Sequence, residues 1–503
     1  MSFYITTSIS YVNGQPHLGH AYEAIATDVL ARHHRQRSDD TFFLTGTDEH
    51  GEPVADAAKA NGYEPREWAD LNAEKFKALL PELGVEPDFF IRTSDPQHEQ
   101  KVQDVLQRVY DNGYVYKGTY TGWYCPRCAD FKVENEILEG NRCPIHEIEL
   151  TKENEENYFF KLSAFQSQLE ALFAENQGFV GPPRARNEAE AFLAGGLQDV
   201  SLTRAKLTWG VQVPWDHSHV FYVWFDALLN YYTALSYARA NADLTERYWP
   251  ASVHMIGKDI LKFHTIYWPA LLLAAGLEPP KGVFVHGFLQ GADGRKMSKS
   301  LGNGLDPLDV TERFGADALR FFLLREVQFG SDGPVGMDAV ANRYSAELAN
   351  DYGNLASRTL AMIARYRDSD VSSRATDPEL AAEFTGLPAT VSAALDAVDL
   401  TGGLDQIWQR VRRLNRYVEE QRPWELARDE AAAARLDTVL ASLHEGVRSL
   451  SVLLYPFIPA ATAKVLAALG TPDTDYSAAA FGTHAAATAR VEKIPPLFPK
   501  EPD

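Results

Sequence analysis

An apolar run, Phe3-Tyr4-Ile5-Thr6-Thr7-Ser8-Ile9, leads within a few residues into Pro16-His17-Leu18-Gly19-His20 and then into a stretch of helical period. Strand, glycine-bearing turn and helix in that order open a nucleotide-binding α/β unit. Leu18, Tyr22, Ile25, Val29 and Leu30 predict a helix from about Leu18 to Gln36. His17 and His20 are three apart and share one face of its first turn. Backbone N–H groups and the positive end of the helix dipole favour phosphate there. Gly19 leaves room for a ligand against the backbone. A second marked segment, Lys296-Met297-Ser298-Lys299-Ser300, comes after the glycine-containing turn Gly291-Ala292-Asp293-Gly294-Arg295. Lysines on a mobile turn suit a reaction whose negative charge grows and moves on phosphates.

With 503 residues the chain has room for two to four domains, each with its own core. An apolar content of 45% and a charged content of 23% are those of a soluble globular protein. Neither a signal peptide nor an apolar run long enough to span a bilayer is visible, so a cytoplasmic location without membrane contact is expected. A net charge of −21 argues against non-specific nucleic-acid binding. It leaves open a local basic face. Arg410, Arg412, Arg413, Arg416 and Arg422 are one candidate; they could equally be the solvated side of a helix whose apolar stripe is Leu404, Ile407, Val411, Leu414 and Val418.

The 3 cysteines fall in one stretch: Cys125-Pro126-Arg127-Cys128, then Cys143-Pro144-Ile145-His146. Cys-x-x-Cys…Cys-x-x-His is tetrahedral zinc spacing. Three thiolates and one imidazole fill the shell, so the expected ion is a single structural Zn²⁺. An odd cysteine count speaks against a disulfide reading.

Strand-like and helix-like segments alternate up to about Asn112. Thr41–Gly46 reads as a strand with Thr47-Asp48-Glu49-His50-Gly51 at its C-terminal end, where ligands bind in such sheets. Phe89–Thr93 is a third strand. From Gly113 to about Ser218 the pattern is interrupted. Val220–Asp226, Val253–Asp259 and Val283–Gly287 then read as further strand ends, and helical periodicity dominates from about Arg343 to Leu469.

The two marked segments resemble the paired signatures of class I aminoacyl-tRNA synthetases. Across about residues 3–460 the chain is similar to the methionyl-tRNA synthetases. The resemblance rests on Ser10–Pro16, Gly46–Gly51, Tyr222–Ala227, Ile256–Ile260, Asn354–Arg358 and Gln421–Trp424. It implies an α/β fold: a Rossmann-like parallel-sheet catalytic domain split by a zinc-knuckle insertion, followed by an α-helical bundle that binds the anticodon. The expected divisions are 1–113 and 219–285 for the two catalytic halves, 114–218 for the insertion (knuckle 125–146), 286–342 for the signature loop and tRNA stem contacts, and 343–503 for the bundle.

The resemblance further implies residue roles. His17, His20, Lys296 and Lys299 would be catalytic. Ile9, Tyr11, Asp48, Trp224, Leu228, Tyr231, Ile260 and His264 would bind methionine, with Asp48 on the ammonium. His17, Gly19, His20, Gly257, Asp259, Lys296, Ser298 and Lys299 would bind ATP, which enters with Mg²⁺. Asn354, Arg358 and Trp424 would read the CAU anticodon of initiator and elongator tRNA(Met). Cys125, Cys128, Cys143 and His146 would hold zinc. Leu228 departs from the family, where proline is frequent. Homocysteine is one methyl smaller than methionine, so proofreading is expected. The insertion is too short for the large editing insertion of leucyl, isoleucyl and valyl relatives, and no cysteine precedes Cys125, unlike the cysteinyl enzymes. A non-catalytic tRNA-binding relative or a ligase with a small-molecule acceptor would be the other readings. No appended dimerising domain is recognised, so a monomer is expected.

Overall fold

The computed structural model describes residues 2–127, 130–132, 137–145, 147–295, 297, 304–372, 374–482 and 490–499, the side chains of 120, 130 and 131 excepted. Among the described residues, seven strands form one sheet: β1 (Ser2–Thr6), β2 (Ser10–Tyr11), β3 (Asp40–Asp48), β4 (Phe89–Arg92), β5 (Val180–Gly181), β6 (Val253–Gly257) and β7 (Val283–His286). Their order is β2-β3-β1-β6-β7-β5, with β4 also on β3, and every pairing is parallel. Tyr4, Ile5, Phe42, Phe43 and Leu44 are buried on both faces of the sheet, as strands between helical layers require. β3 and β4 run very close at Gly46, where an added Cβ would lie 2.1 Å from the Ile91 carbonyl oxygen. Only glycine fits there.

The predicted first helix, α1, spans Leu18–Gln36. Three further helices bear on the site or on its contact with the bundle: α2 (Pro96–Asp111), α3 (Val223–Thr233) and α4 (Ala316–Glu326). The expected strand at Val220–Asp226 is corrected. Only Val220–Phe221 is extended, paired antiparallel to Thr203–Arg204, and α3 begins at Val223. The run is aromatic and β-branched, which mimics a strand. Burial of Val223, Phe225, Ala227, Leu228, Leu229 and Tyr231 around the helix overrides that propensity.

Val115–Cys125 and Thr151–Phe160 pair as a long antiparallel ladder, and Asp130–Lys132 pairs with its far end at Trp123–Cys125. The chain then returns to the main sheet through β5, so the stretch expected as an insertion also supplies a sheet strand. Beyond residue 337 the described chain is mostly helical, with irregular stretches at 368–377 and from 470 onward. This region includes α5 (Asn354–Tyr366), α6 (Leu387–Asp396), α7 (Leu400–Gln421) and α8 (Ala433–Leu454).

One buried charge cluster ties the bundle to the sheet layer. Arg320 of α4 is fully buried and donates from Nη2 to Asp28 of α1 (2.7 Å) and to the Pro456 carbonyl (2.7 Å), and from Nε to the Phe457 carbonyl (3.0 Å). Asp28 also accepts from Arg32 Nε at 2.7 Å. Every charge in this cluster has partners, so its desolvation is offset and loss of one member would be costly. Farther along α1, Arg37 pairs with Asp396 of α6 at 2.6 Å. Thus α1 touches the bundle with its C-terminal half and carries His17 and His20 at its other end.

Candidate active site

The C-terminal ends of β1, β2, β3, β6 and β7 open into one cavity of about 870 Å³. That is where a doubly wound sheet binds ligands. Ile9, Tyr11, Asp48, Trp224, Leu228, Tyr231, Ile260 and His264, far apart in the chain, all line it. So do His17, Gly19, His20, Gly257 and Asp259. Sequence reading misses Ser8, Glu23, Lys258, His286 and Phe288, which also face it. Glu23 has a signal, since it lies one turn after His20 on the same helix. His286 has one too, at the end of a predicted strand.

His17 and His20 are held by the helix start itself. His17 is the N-cap, and its Nδ1 accepts from the Gly19 N–H at 3.1 Å. His20 Nδ1 accepts from the His17 N–H at 3.1 Å, closing a capping box. The rings stack at 3.8 Å. Burial, with His17 and His286 nearby, holds His20 well below the usual histidine range and so neutral. With Nδ1 accepting, the neutral His20 ring carries its proton on Nε2. The room at Gly19 is taken by His17, whose ring would sit 3.0 Å from a Cβ there.

Behind the histidines, Glu23 accepts from the Ser8 N–H (2.6 Å), the Ser8 hydroxyl (2.7 Å) and His286 Nε2 (2.8 Å). The other His286 nitrogen donates to the Gly287 carbonyl at 2.9 Å. Burial alone would lower the His286 pKa, but the Glu23 carboxylate carries it above the ordinary value. Lys258 lies 4.3 Å over the Phe288 ring and pairs with Asp332 at 2.5 Å.

The opposite wall is apolar and aromatic. Trp224 stacks on Phe263 at 3.8 Å, and Tyr11 meets it edge-on at 6.0 Å. Buried Tyr231 donates its hydroxyl proton to His264 Nε2 at 2.8 Å, while His264 Nδ1 donates to the Ile260 carbonyl at 3.0 Å. Burial lowers His264 to about 4, so the ring is neutral. Asp48 stands at the rim, only 2% exposed, and its Oδ1 has no hydrogen-bond partner. Burial first, and the Asp226 charge second, push its pKa well up. A buried carboxylate with an unmatched oxygen facing a cavity calls for a cation.

Near the zinc-spaced cysteines, Cys125 and Cys143 are buried in one small cluster with Leu150. The Ile145 N–H points at Cys143 Sγ at 3.4 Å. An amide aimed at sulfur suits a thiolate, so these two residues fit a zinc shell. Cys128 and His146, like Lys296, Ser298 and Lys299, lie outside the described residues.

In the bundle, Arg422 closes α7 in a left-handed conformation (φ 46°), and the short helix Pro423–Leu426, which carries Trp424, follows directly. The Arg358 guanidinium lies 4.9 Å over the Trp424 ring and pairs with Glu419 at 2.7 Å. Asn354 is exposed one turn earlier on α5. The three predicted anticodon residues therefore share one surface. Three of the neighbouring arginines are engaged elsewhere: Arg410 donates to the Glu383 carbonyl, Arg412 to Glu347, and Arg413 to Glu383. Along this stretch the solvated, ion-paired helix face is what is observed.

A sequence model of the family described as tRNA synthetases class I (M) matches residues 3–149 and 132–360, and one described as the anticodon binding domain of methionyl tRNA ligase matches residues 371–495. Methionine–tRNA ligase of Streptomyces coelicolor is 43% identical, covering 99% of this chain and 96% of its own. That of Caldanaerobacter subterraneus is 42% identical over 99% of this chain and 79% of its own. Among solved structures, Mycobacterium tuberculosis methionyl-tRNA synthetase in complex with methionyl-adenylate superposes with a TM-score of 0.95 at 41% identity, covering 99% of both chains. Its free-state crystal form gives 0.87 at 37% identity, covering 100% of this chain and 98% of that one.

Proposed function

The chain belongs to the class I methionyl-tRNA synthetases, and from that membership we infer how its own residues divide the reaction. It is a methionine–tRNA ligase that activates L-methionine with ATP and transfers the methionyl group to tRNA(Met). In the first step a methionine carboxylate oxygen attacks the α-phosphorus of ATP, the bond to the bridging oxygen of the β-phosphate breaks, and pyrophosphate leaves with Mg²⁺. In the second, the 3′-terminal adenosine hydroxyl attacks the activated carbonyl and AMP leaves.

The observation that carries the residue roles is convergence. The eight residues expected for methionine line one cavity, and one of them, Asp48, has an unmatched buried oxygen. In our reading Asp48 holds the ammonium. Trp224, Tyr11, Ile9, Leu228 and Ile260 enclose the thioether side chain, which aromatic faces contact favourably. The Tyr231–His264 pair offers a polar edge to its sulfur. His17 and His20 bind ATP phosphate, with Lys296, Ser298 and Lys299 supplying charge to the transition state. Gly257 and Asp259 flank the adenosine. Homocysteine, one methyl smaller, fills the same pocket poorly enough to slow it but not to exclude it.

Asn354, Arg358 and Trp424 read the anticodon loop of initiator and elongator tRNA(Met), by base stacking on Trp424 and hydrogen bonds from the other two. Cys125, Cys128, Cys143 and His146 hold one structural Zn²⁺, which when bound supplies folding energy to the far end of the ladder. Residues 1–113 and 219–285 form the catalytic halves, 114–218 the insertion, 286–342 the loop and stem-contact region and 343–503 the anticodon bundle. We also propose a cytoplasmic monomer without membrane contact. No helix among the described residues is long and apolar enough to cross a membrane. ATP–pyrophosphate exchange with methionine, leucine, isoleucine, valine and cysteine side by side tests the pocket. Exchange with methionine alone is expected; equal exchange with another of them overturns the wall assignment.

A further inference from the structure

Directly behind Asp48 lies a buried cluster of titratable groups with no place in the two-step reaction. Asp226 of α3 is fully buried. On its helix Trp224, Leu228 and Tyr231 line the cavity, and Asp226 is turned away from that stripe. His50 Nδ1 lies 2.9 Å from Asp226 Oδ2, and His98 Nε2 of α2 lies 3.4 Å from Oδ1. The other nitrogen of His98 meets the Thr233 hydroxyl at 2.7 Å, and His50 Nε2 is 3.5 Å from Glu99. His50 itself sits two residues beyond Asp48, and its charge opposes the rise in the Asp48 pKa.

These contacts set charges in a row. Asp48 and Asp226 are two carboxylates in one buried neighbourhood, and two such charges cannot both stay ionised without a cation between them. Burial alone would lower His50, but Asp226 outweighs it and, with Glu99, raises it to about 10. His50 is therefore a cation at neutral pH. The remaining nearby carboxylate, Glu49, is matched separately by the Arg92 fork at 2.7 and 2.8 Å. Burial and the Asp226 charge favour the neutral form of Asp48, the His50 cation opposes them, and a methionine ammonium would complete the balance in favour of the ionised form.

We propose that His50, locked in place by Asp226, is a positioning residue for methionine: its cation, held two residues from Asp48, favours the ionised form of Asp48 that meets the substrate ammonium. This rests on reading Asp48 as the ammonium site. His50 touches no substrate and acts only through Asp48. His98 and Glu99 hold the pair from α2.

The test is the pH profile of kcat/KM for methionine in pyrophosphate exchange. His50→Asn keeps a donor where Nδ1 was and removes the charge. Its acid limb should move to higher pH by about one unit, and its methionine KM at neutral pH should rise about tenfold. kcat and the KM for ATP should change less. His50→Asn with Asp226→Asn removes the second anion as well, so the limb should move back toward the wild-type position. A merely structural role predicts the reverse, with the double variant worse than the single. An unmoved limb in His50→Asn, or additive loss in the double, overturns the proposal. If His50→Asn does not fold, Glu99→Gln at the half-exposed end should shift the limb in the same direction by a smaller amount, and no shift overturns it too. Asp48→Asn separates the two ideas: if that variant keeps its methionine KM, the ammonium reading itself fails.

Discussion

Asp48, at the end of a sheet strand, and Trp424, in the helical bundle, stand at opposite ends of the energy scale. Asp48 is 2% exposed and lies two residues from His50, which is itself bonded to buried Asp226. Around it His17, His20, Glu23 and His286 are locked by hydrogen bonds of 2.6–3.1 Å. Trp424 is half-buried and rests against Arg358, whose side chain is 33% exposed. The cavity is organised before any ligand enters, so its charges act in a low-dielectric setting and each is worth a great deal. The surface proposed to read the anticodon is built from solvated groups, each worth little, which must combine on a large ligand. Chemistry needs the first arrangement, whereas recognition of a single-stranded loop can use the second.

That contrast can be broken from either side. The largest effect is expected from Asp48→Asn, which on the proposed assignment leaves the substrate ammonium in a buried site without a counter-charge. kcat/KM for methionine in exchange should fall by about 10²–10⁴, the equivalent of about 3–5 kcal/mol. The melting temperature should hold. Retained exchange would mean that the cavity gains nothing from its buried charge.

Trp424→Ala should lower kcat/KM for tRNA charging by about 10–100-fold, from a stacking loss of about 1–3 kcal/mol. Methionine-dependent exchange, measured without tRNA, should be unaltered. A parallel fall in exchange would show that the two regions are not separable.

Gly19→Ala sharpens the cavity side. The new Cβ presses on the His17 ring and loosens the cap, at about 0.5–2 kcal/mol. The KM for ATP should rise more than that for methionine, as read from exchange at varied ATP. Arg358→Lys should cost less, about 0.5–1 kcal/mol, because an ammonium keeps the charge but loses the planar stack on Trp424. A few-fold loss in charging kcat/KM would register it.

Acid provides the gentlest probe. His264 is lowered to about 4 and His33 to about 3, each mainly by burial, from an ordinary value near 6.5. The unfolded chain therefore binds more protons than the folded one between pH about 3 and 6.5, and stability should fall as pH drops through that window. Urea midpoints at pH 7.5 and 5.5 would show it. An unchanged midpoint would contradict the neutral, buried state of these rings.

Legibility in the chain divides along the same line between local and assembled features. The signature histidines and α1 with both its ends are readable because a short motif or a helix stripe fixes them locally, whereas the wall residues are reached only through the family resemblance. Asp48 is readable from its place after a strand. The Glu23–His286 pair and the Asp226–His50–His98 cluster are not, since they join residues 128 to 263 positions apart and exist only once the sheet is assembled. The start of α3 reads as strand because its aromatic and branched residues satisfy either element, and only packing between the sheet and the ladder decides. The arginines of α7 are ambiguous for a related reason: their acidic partners come from other helices.

The most direct test of the two-region account is charging of tRNA(Met) transcripts that differ only in the anticodon, at saturating methionine and ATP. With CAU replaced, kcat/KM should drop by at least about the 10–100-fold attributed to base stacking. Equal charging of both transcripts would contradict the account, because the bundle would then read nothing at Asn354, Arg358 and Trp424.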